Sequence, residues 1–169
     1  APDNNMLQFV LSKKVILVEG DAEFILMEAM YKQATQKELS ESGIGVIAVD
    51  GKCFKRYLEI GKLLGIKVAV ITDNDKSYED NIKKNYNGLE TQNIKVFSDS
   101  DDKRYTFEIC IYNDNKAILD DEFQNLKTNS PLQYMLANKT ESAYRILTKH
   151  ADEIEVPKYI QDAIRWIDA

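Results

Sequence analysis

Two kinds of hydrophobic spacing alternate along the first half of the chain. Three short apolar runs, Val15-Ile16-Leu17-Val18, Gly45-Val46-Ile47-Ala48-Val49 and Lys67-Val68-Ala69-Val70-Ile71-Thr72, each stop at an acidic residue. Because no polar residue alternates with the apolar ones, these runs predict strands buried on both faces. Between them the period lengthens. Ala22 to Gln33 places Phe24, Ile25, Met27, Ala29 and Met30 on a broad helical face. Phe54 to Leu64 points Phe54, Tyr57, Leu58 and Leu64 inward, and Gly65 stops the helix. Strand and helix in alternation predict βαβ units and a parallel sheet with right-handed crossovers.

The second half is less regular. Asn81 to Asn93 is polar and reads as a loop with a frayed helix, and Ile94-Lys95-Val96-Phe97 reads as a fourth strand before a charged turn, Ser98 to Arg104. Thr106 to Tyr112 suits either a strand or a helix. Leu119 to Leu126 reads as a short helix, and Asn129-Ser130-Pro131 is a break. From Lys139 the pattern is helical, with Ala143, Ile146 and Leu147 on one side, and Pro157 opens a last helix through Trp166. There is no internal repeat.

Composition narrows the class. The 169 residues are 44% hydrophobic, enough for a sizeable core. Lys and Arg number 22 against 28 Asp and Glu, a net charge of −6 that argues against a basic nucleic-acid-coating protein. No apolar run approaches the ~18 residues of a membrane span. Ala1 to Leu11 lacks the pattern of a signal peptide. Cys53 and Cys110 are far apart, form no disulfide framework and suit a reducing cytoplasm, where the expected location lies.

The chemistry belongs at the strand ends, because an open parallel sheet opens its crevice beyond the carboxyl ends of its strands. If the first and third strands are neighbours, Glu19, Glu23, Asp73 and Asp75 crowd one rim. Their repulsion would need protons or divalent cations. Hard oxygen donors favour Mg²⁺ or Mn²⁺, and two ions about 4 Å apart suit phosphodiester chemistry. Each motif alone also has a plain reading. Glu19-Gly20 makes an ordinary strand-to-helix turn with Asp21 as N-cap, and Asp73-Asn74-Asp75 makes a polar loop. Their conjunction at two buried strand ends favours a site.

The run Lys14-Val15-Ile16-Leu17-Val18-Glu19-Gly20-Asp21-Ala22-Glu23, followed by Ile71-Thr72-Asp73-Asn74-Asp75, resembles a TOPRIM domain, the metal-binding fold of topoisomerases, primases and several nucleases. Val49 to Tyr57, Thr106-Phe107-Glu108, Lys139 to Ala143 and the tail from Val156 to Ile167 extend the likeness over nearly the whole chain. Together they resemble the C-terminal TOPRIM region of the OLD (overcoming lysogenization defect) family nucleases, which include the nuclease subunit of the Gabija anti-phage system.

That resemblance implies a Rossmann-like α/β fold with a central parallel sheet. The core would span 1–112, a variable helical insertion 113–138 and C-terminal helices 139–169. It implies a DNA endonuclease using two Mg²⁺ or Mn²⁺ ions in anti-phage defence. Glu19 and Glu23 would bind one ion, Asp73 and Asp75 would bind or bridge the second, and Glu108 would be a further ligand, with Glu122 or Asp121 as substitutes. Lys139 would stabilise the charged transition state. Thr72 would hold a metal-bound water or a phosphate oxygen. ATP enters only through an N-terminal ATPase domain. No Walker A pattern occurs here, so the sequence reads as an excised domain whose full protein also has a dimer partner and a helicase-like partner subunit.

Other residues have weaker readings. Lys52, Lys55 and Arg56 are a solvated helix face first and a DNA-backbone contact second. His150 reads as a surface residue or cap, Cys53 and Cys110 as core or semi-buried thiols, and Trp166 as the anchor of the last helix. None of the nine tyrosines is marked as a nucleophile. The rival functions are another TOPRIM enzyme, primase-like or RNA-maturing, and a non-catalytic assembly module.

Overall fold

The computed structural model describes residues 4–49, 53–124, 126 and 130–169. Strands β1 (Lys14–Val18), β2 (Ile44–Ala48), β3 (Lys67–Ile71) and β4 (Ile94–Phe97) form one all-parallel sheet in the order β2-β1-β3-β4. The first and third strands are therefore neighbours. Val18 pairs with Ala48 on one side and Ile71 on the other, and Ile71 pairs with Phe97, so all four strands end on one rim.

The absence of polar alternation has its expected consequence: β1 and β3 are buried on both faces apart from their leading lysines. Period two divides their side chains. Ile16, Val18, Ala69 and Ile71 face a core completed by α2 (Asp21–Thr35), α4 (Phe107–Asp114), α7 (Lys139–His150) and α8 (Lys158–Asp168). Val15, Leu17, Val68 and Val70 face a second core beneath α1 (Asn4–Leu11) and α3 (Phe54–Leu64). The short helices α5 (Lys116–Glu122) and α6 (Pro131–Ala137) extend the first layer through Leu119, Phe123 and Met135.

Local structure departs from the sequence reading in several places. Helix α1 carries no expectation from its pattern, yet Phe9 is fully buried edge-on against Tyr57, with ring centroids 5.1 Å apart. Phe24 and Leu64 are exposed instead of inward. The buried stripe of α2 runs through Ala22, Leu26, Met27 and Met30, and at 100° per residue Phe24 falls roughly opposite Leu26. Leu64 is the last residue of α3. Cys53 is exposed ahead of α3, whereas Cys110 is buried. Gly20, not Asp21, caps α2. A single wide π-turn, Glu79–Lys84, occupies the start of the expected loop, and α5 begins three residues before Leu119.

Thr106 to Tyr112 resolves as the start of α4, with Thr106 Oγ1 accepting the Ile109 N–H in an N-cap. This helix runs through the boundary expected at 112/113. At the opposite end of the sheet, Lys67 Nζ donates to the Trp166 carbonyl at 2.7 Å and sits over the Trp166 ring, so the C-terminal helix is tied to the foot of β3. Trp166, half-buried against Phe97, anchors that helix. No helix among the described residues is long and apolar enough to cross a membrane.

Candidate metal centre

The rim where the strands end collects carboxylates from four elements, β1, β3, α2 and α4. Glu19 follows β1 directly, and its Oε2 accepts the Thr72 hydroxyl at 2.9 Å and the Asp73 N–H at 3.1 Å. The end of β1 is thereby clamped to the end of β3. Asp73 Oδ1 in turn accepts the Phe107 N–H at 2.8 Å, which fixes α4 against the rim and brings Glu108 in. Glu23 enters from the first turn of α2, where a helix N-terminus favours an anion. Glu23 is 5% exposed and Glu108 is 3% exposed.

Burial and this crowding together favour the protonated form of Glu23 and Asp73. Burial pushes Glu23 up to about 8, with the charges of Asp73, Glu108 and Glu19 adding to it against the hydrogen bond from its own backbone. Burial likewise pushes Asp73 up to about 7, with Glu19 and Glu108 adding and Lys139 opposing.

Lys139, the first residue of α7, supplies the one cation among the described residues that pairs with these four carboxylates. Its Nζ lies 3.0 Å from Glu108 Oε2. Burial works against its charge, but Glu108, Asp73 and Glu23 outweigh burial and raise its pKa. The contact is an ion pair and not a well-directed hydrogen bond, so Glu108 Oε2 is a buried oxygen that accepts no such bond.

Asp75 sits two residues beyond Asp73, on a sharply turned stretch of backbone. The backbone turns left-handed at Asp75 (φ 50°) and Lys76 (φ 73°), and Asn74, 1% exposed, pins the turn. Its amide donates to the Asp99 and Asp101 carbonyls while its Oδ1 accepts the Lys76 N–H. Asp75 consequently faces a neighbouring cleft of about 340 Å³, shared with Thr72, Asp73, Asn81, Lys84 and Tyr86.

Glu19, Glu23, Asp73, Glu108 and Lys139 are thus brought together, with Thr72 beneath them. The Thr72 hydroxyl is committed to Glu19. Glu122 lies elsewhere, bound by Arg145, Lys149 and His150. Asp121 lies beside it on α5, where the Gln124 amide donates to it. Lys55 and Arg56 are exposed in the first turn of α3, and Lys52 lies outside the described residues.

Tyr86 and Asn74 went unmarked in the sequence reading. Burial, with the charges of Glu19 and Asp75, pushes the Tyr86 phenol up to about 12, against the opposing effect of the neighbouring Thr72 hydroxyl, so it stays neutral. A buried asparagine between two acidic residues is the one local signal that the DxD turn is pinned; Tyr86 has no such signal.

The donor chemistry suits a hard divalent ion: carboxylate oxygens, an incompletely satisfied buried one, and a lysine standing where positive charge is called for. The site is not preassembled, since no three acidic, histidine or cysteine side chains among the described residues are close enough to grip an ion as they stand.

An all-parallel α/β sheet with acidic residues at the ends of neighbouring strands defines a TOPRIM-type domain. Residues 10–75 match the model of the "Overcoming lysogenization defect protein-like, TOPRIM domain" family. The Old nuclease of Escherichia phage P2 is 36% identical over 73 residues, which is 43% of this chain and 12% of that protein. The chain therefore matches about an eighth of the length of this relative.

Two solved structures share the fold over nearly the whole chain. The C-terminal region of the Xanthomonas campestris pv. campestris OLD protein superposes with a TM-score of 0.63 at 20% identity, covering 97% of this chain and 94% of that one. The C-terminal region of the Burkholderia pseudomallei OLD protein gives a TM-score of 0.64 at 19% identity, covering 92% and 96%.

Proposed function

We propose that this chain is a divalent-cation-dependent endonuclease domain acting on DNA through the rim carboxylates. The observation that carries the reading is the convergence of Glu19, Glu23, Asp73 and Glu108 with Lys139, at the strand ends where this fold opens its crevice. The OLD-like TOPRIM match and the P2 relative named a nuclease support it.

Glu19, Glu23, Asp73 and Glu108 would hold Mg²⁺ or Mn²⁺, two ions in all, with Asp75 completing the set from the cleft side. When bound, such ions supply charge neutralisation at the scissile phosphate and a water nucleophile at neutral pH. The chain's own residues do the rest. Glu19, fixed by Thr72 and the Asp73 N–H, orients the ligand face of β1. Asp73 and Glu23 give up their protons on loading. Lys139 carries the charge that steadies the pentavalent phosphate. Thr72 acts by holding Glu19, and Lys55, Arg56 and Lys52 would add salt-sensitive backbone contacts.

The solved neighbours are C-terminal regions of OLD proteins. That placement supports a larger protein in which an N-terminal ATPase domain, a dimer partner and a helicase-like subunit govern access to DNA, in a cytoplasmic, anti-phage role.

The test is nicking of supercoiled plasmid with Mg²⁺, Mn²⁺ or EDTA, beside Asp73→Ala and Lys139→Ala. Nicking that needs the metal and disappears in both variants is the expected result. A folded wild-type chain that binds divalent ions but leaves plasmid and linear DNA uncut overturns the reading.

A further inference from the structure

We propose that Lys139 is a resident counter-ion of the metal centre: in the unloaded domain its ammonium occupies Glu108, and a divalent cation must displace it to gain that ligand. This inference rests on the metal-centre reading above and deepens it. Lys139 Nζ lies 3.0 Å from Glu108 Oε2, so a divalent cation approaching that oxygen meets a like charge already in place. Glu108 itself is 3% exposed, and no directed hydrogen bond reaches Oε2, so without Lys139 a buried carboxylate oxygen would face its neighbours uncompensated.

The two partners differ in their freedom to move. Glu108 sits in the first turn of α4, which is held by the Thr106 cap and by the Phe107 N–H on Asp73. Lys139 is half-exposed, at the first position of α7, on a flexible four-carbon stem. Loading therefore leaves Glu108 in place and moves the ammonium. It turns toward solvent and an arriving phosphate, which places the transition-state cation only after the carboxylates are filled.

The consequence has an unusual sign. A residue that assists catalysis ordinarily leaves metal affinity unchanged or improves it. Here, removing the lysine should strengthen metal binding, because the competing charge is gone. The experiment is Mn²⁺ titration of the 169-residue chain by electron paramagnetic resonance, with no nucleic acid present. Wild type, Lys139→Met, Lys139→Gln and Lys139→Arg are compared at pH 7.5, each checked by circular dichroism.

Lys139→Met and Lys139→Gln should bind Mn²⁺ roughly tenfold more tightly than wild type, while Lys139→Arg, which keeps the charge, stays near wild type. Equal or weaker binding by both neutral variants overturns the inference and leaves the metal-centre reading standing. A folded wild type that binds no Mn²⁺ overturns both.

Discussion

Replacing Glu23 by glutamine should make the metal-free protein more stable at alkaline pH, although the side chain is buried and polar. The reason is the proton that the native state holds there. A carboxyl raised from 4.5 to about 8 binds a proton in the folded state over a range where the unfolded chain has released it. Stability is therefore greatest below the unfolded value and falls as pH rises through the window from about 4.5 to 8.

At ~1.4 kcal/mol per unit, the full shift corresponds to about 5 kcal/mol lost by pH 9. Asp73 shares the titration, and a buried amide with imperfect partners costs ~1–3 kcal/mol. A net gain of about 2 kcal/mol for Glu23→Gln at pH 9 is the working figure. At pH 5 the wild-type carboxyl is neutral, so the variant should equal it or fall slightly below. Urea unfolding in EDTA at pH 5, 7 and 9 measures this, and the two stability curves should cross. A Glu23→Gln protein less stable than wild type at every pH would refute the reasoning, because the folded state would then carry the ionised carboxylate without penalty.

Three further outcomes follow from the packing. Arg104 joins Asp99 at 2.7 Å and Asp114 at 2.7 Å, all largely sheltered, so Arg104→Ala should cost ~3 kcal/mol and speed hydrogen exchange across 98–104. At Gly61 a Cβ would stand 3.2 Å from both Phe9 Cζ and Val68 Cγ2, so Gly61→Ala should lower stability by ~1–3 kcal/mol, read by thermal unfolding. His150 bonds Glu122 at 3.0 Å and Glu153 at 3.1 Å; burial opposes its charge, and the two carboxylates outweigh burial and raise its pKa. Its stabilisation is complete below about 6.5 and is lost as pH rises through the higher folded value, a dependence that Glu122→Gln should flatten in pH-resolved unfolding.

The sequence carries the sheet well because the buried strands leave no alternation to misread, and Glu19 and Asp73 mark where they end. The pairing of β1 with β3, which turns two separate motifs into one rim, enters the sequence reading only as a condition. Glu108 is harder to place: its stretch is apolar enough for strand or helix, and the Thr106 cap that decides the matter is visible only as a weak local signal. The contact of Lys139 with Glu108 joins residues that no local pattern relates. Phe9 stays invisible because its partner surface, Tyr57 and Gly61 one turn apart on α3, meets α1 only in the fold.

Proton release on metal binding tests the central claim most directly, namely that these rim carboxylates form a divalent-cation site. Calorimetric titration of Mn²⁺ at pH 7 in buffers of different ionisation enthalpy reports both the affinity and the protons displaced. Glu23 and Asp73, held protonated up to about 8 and about 7, should together release at least one proton on loading, and Asp73→Asn should weaken binding and reduce the release. Binding with no proton released, or no binding by the folded chain, would contradict the account.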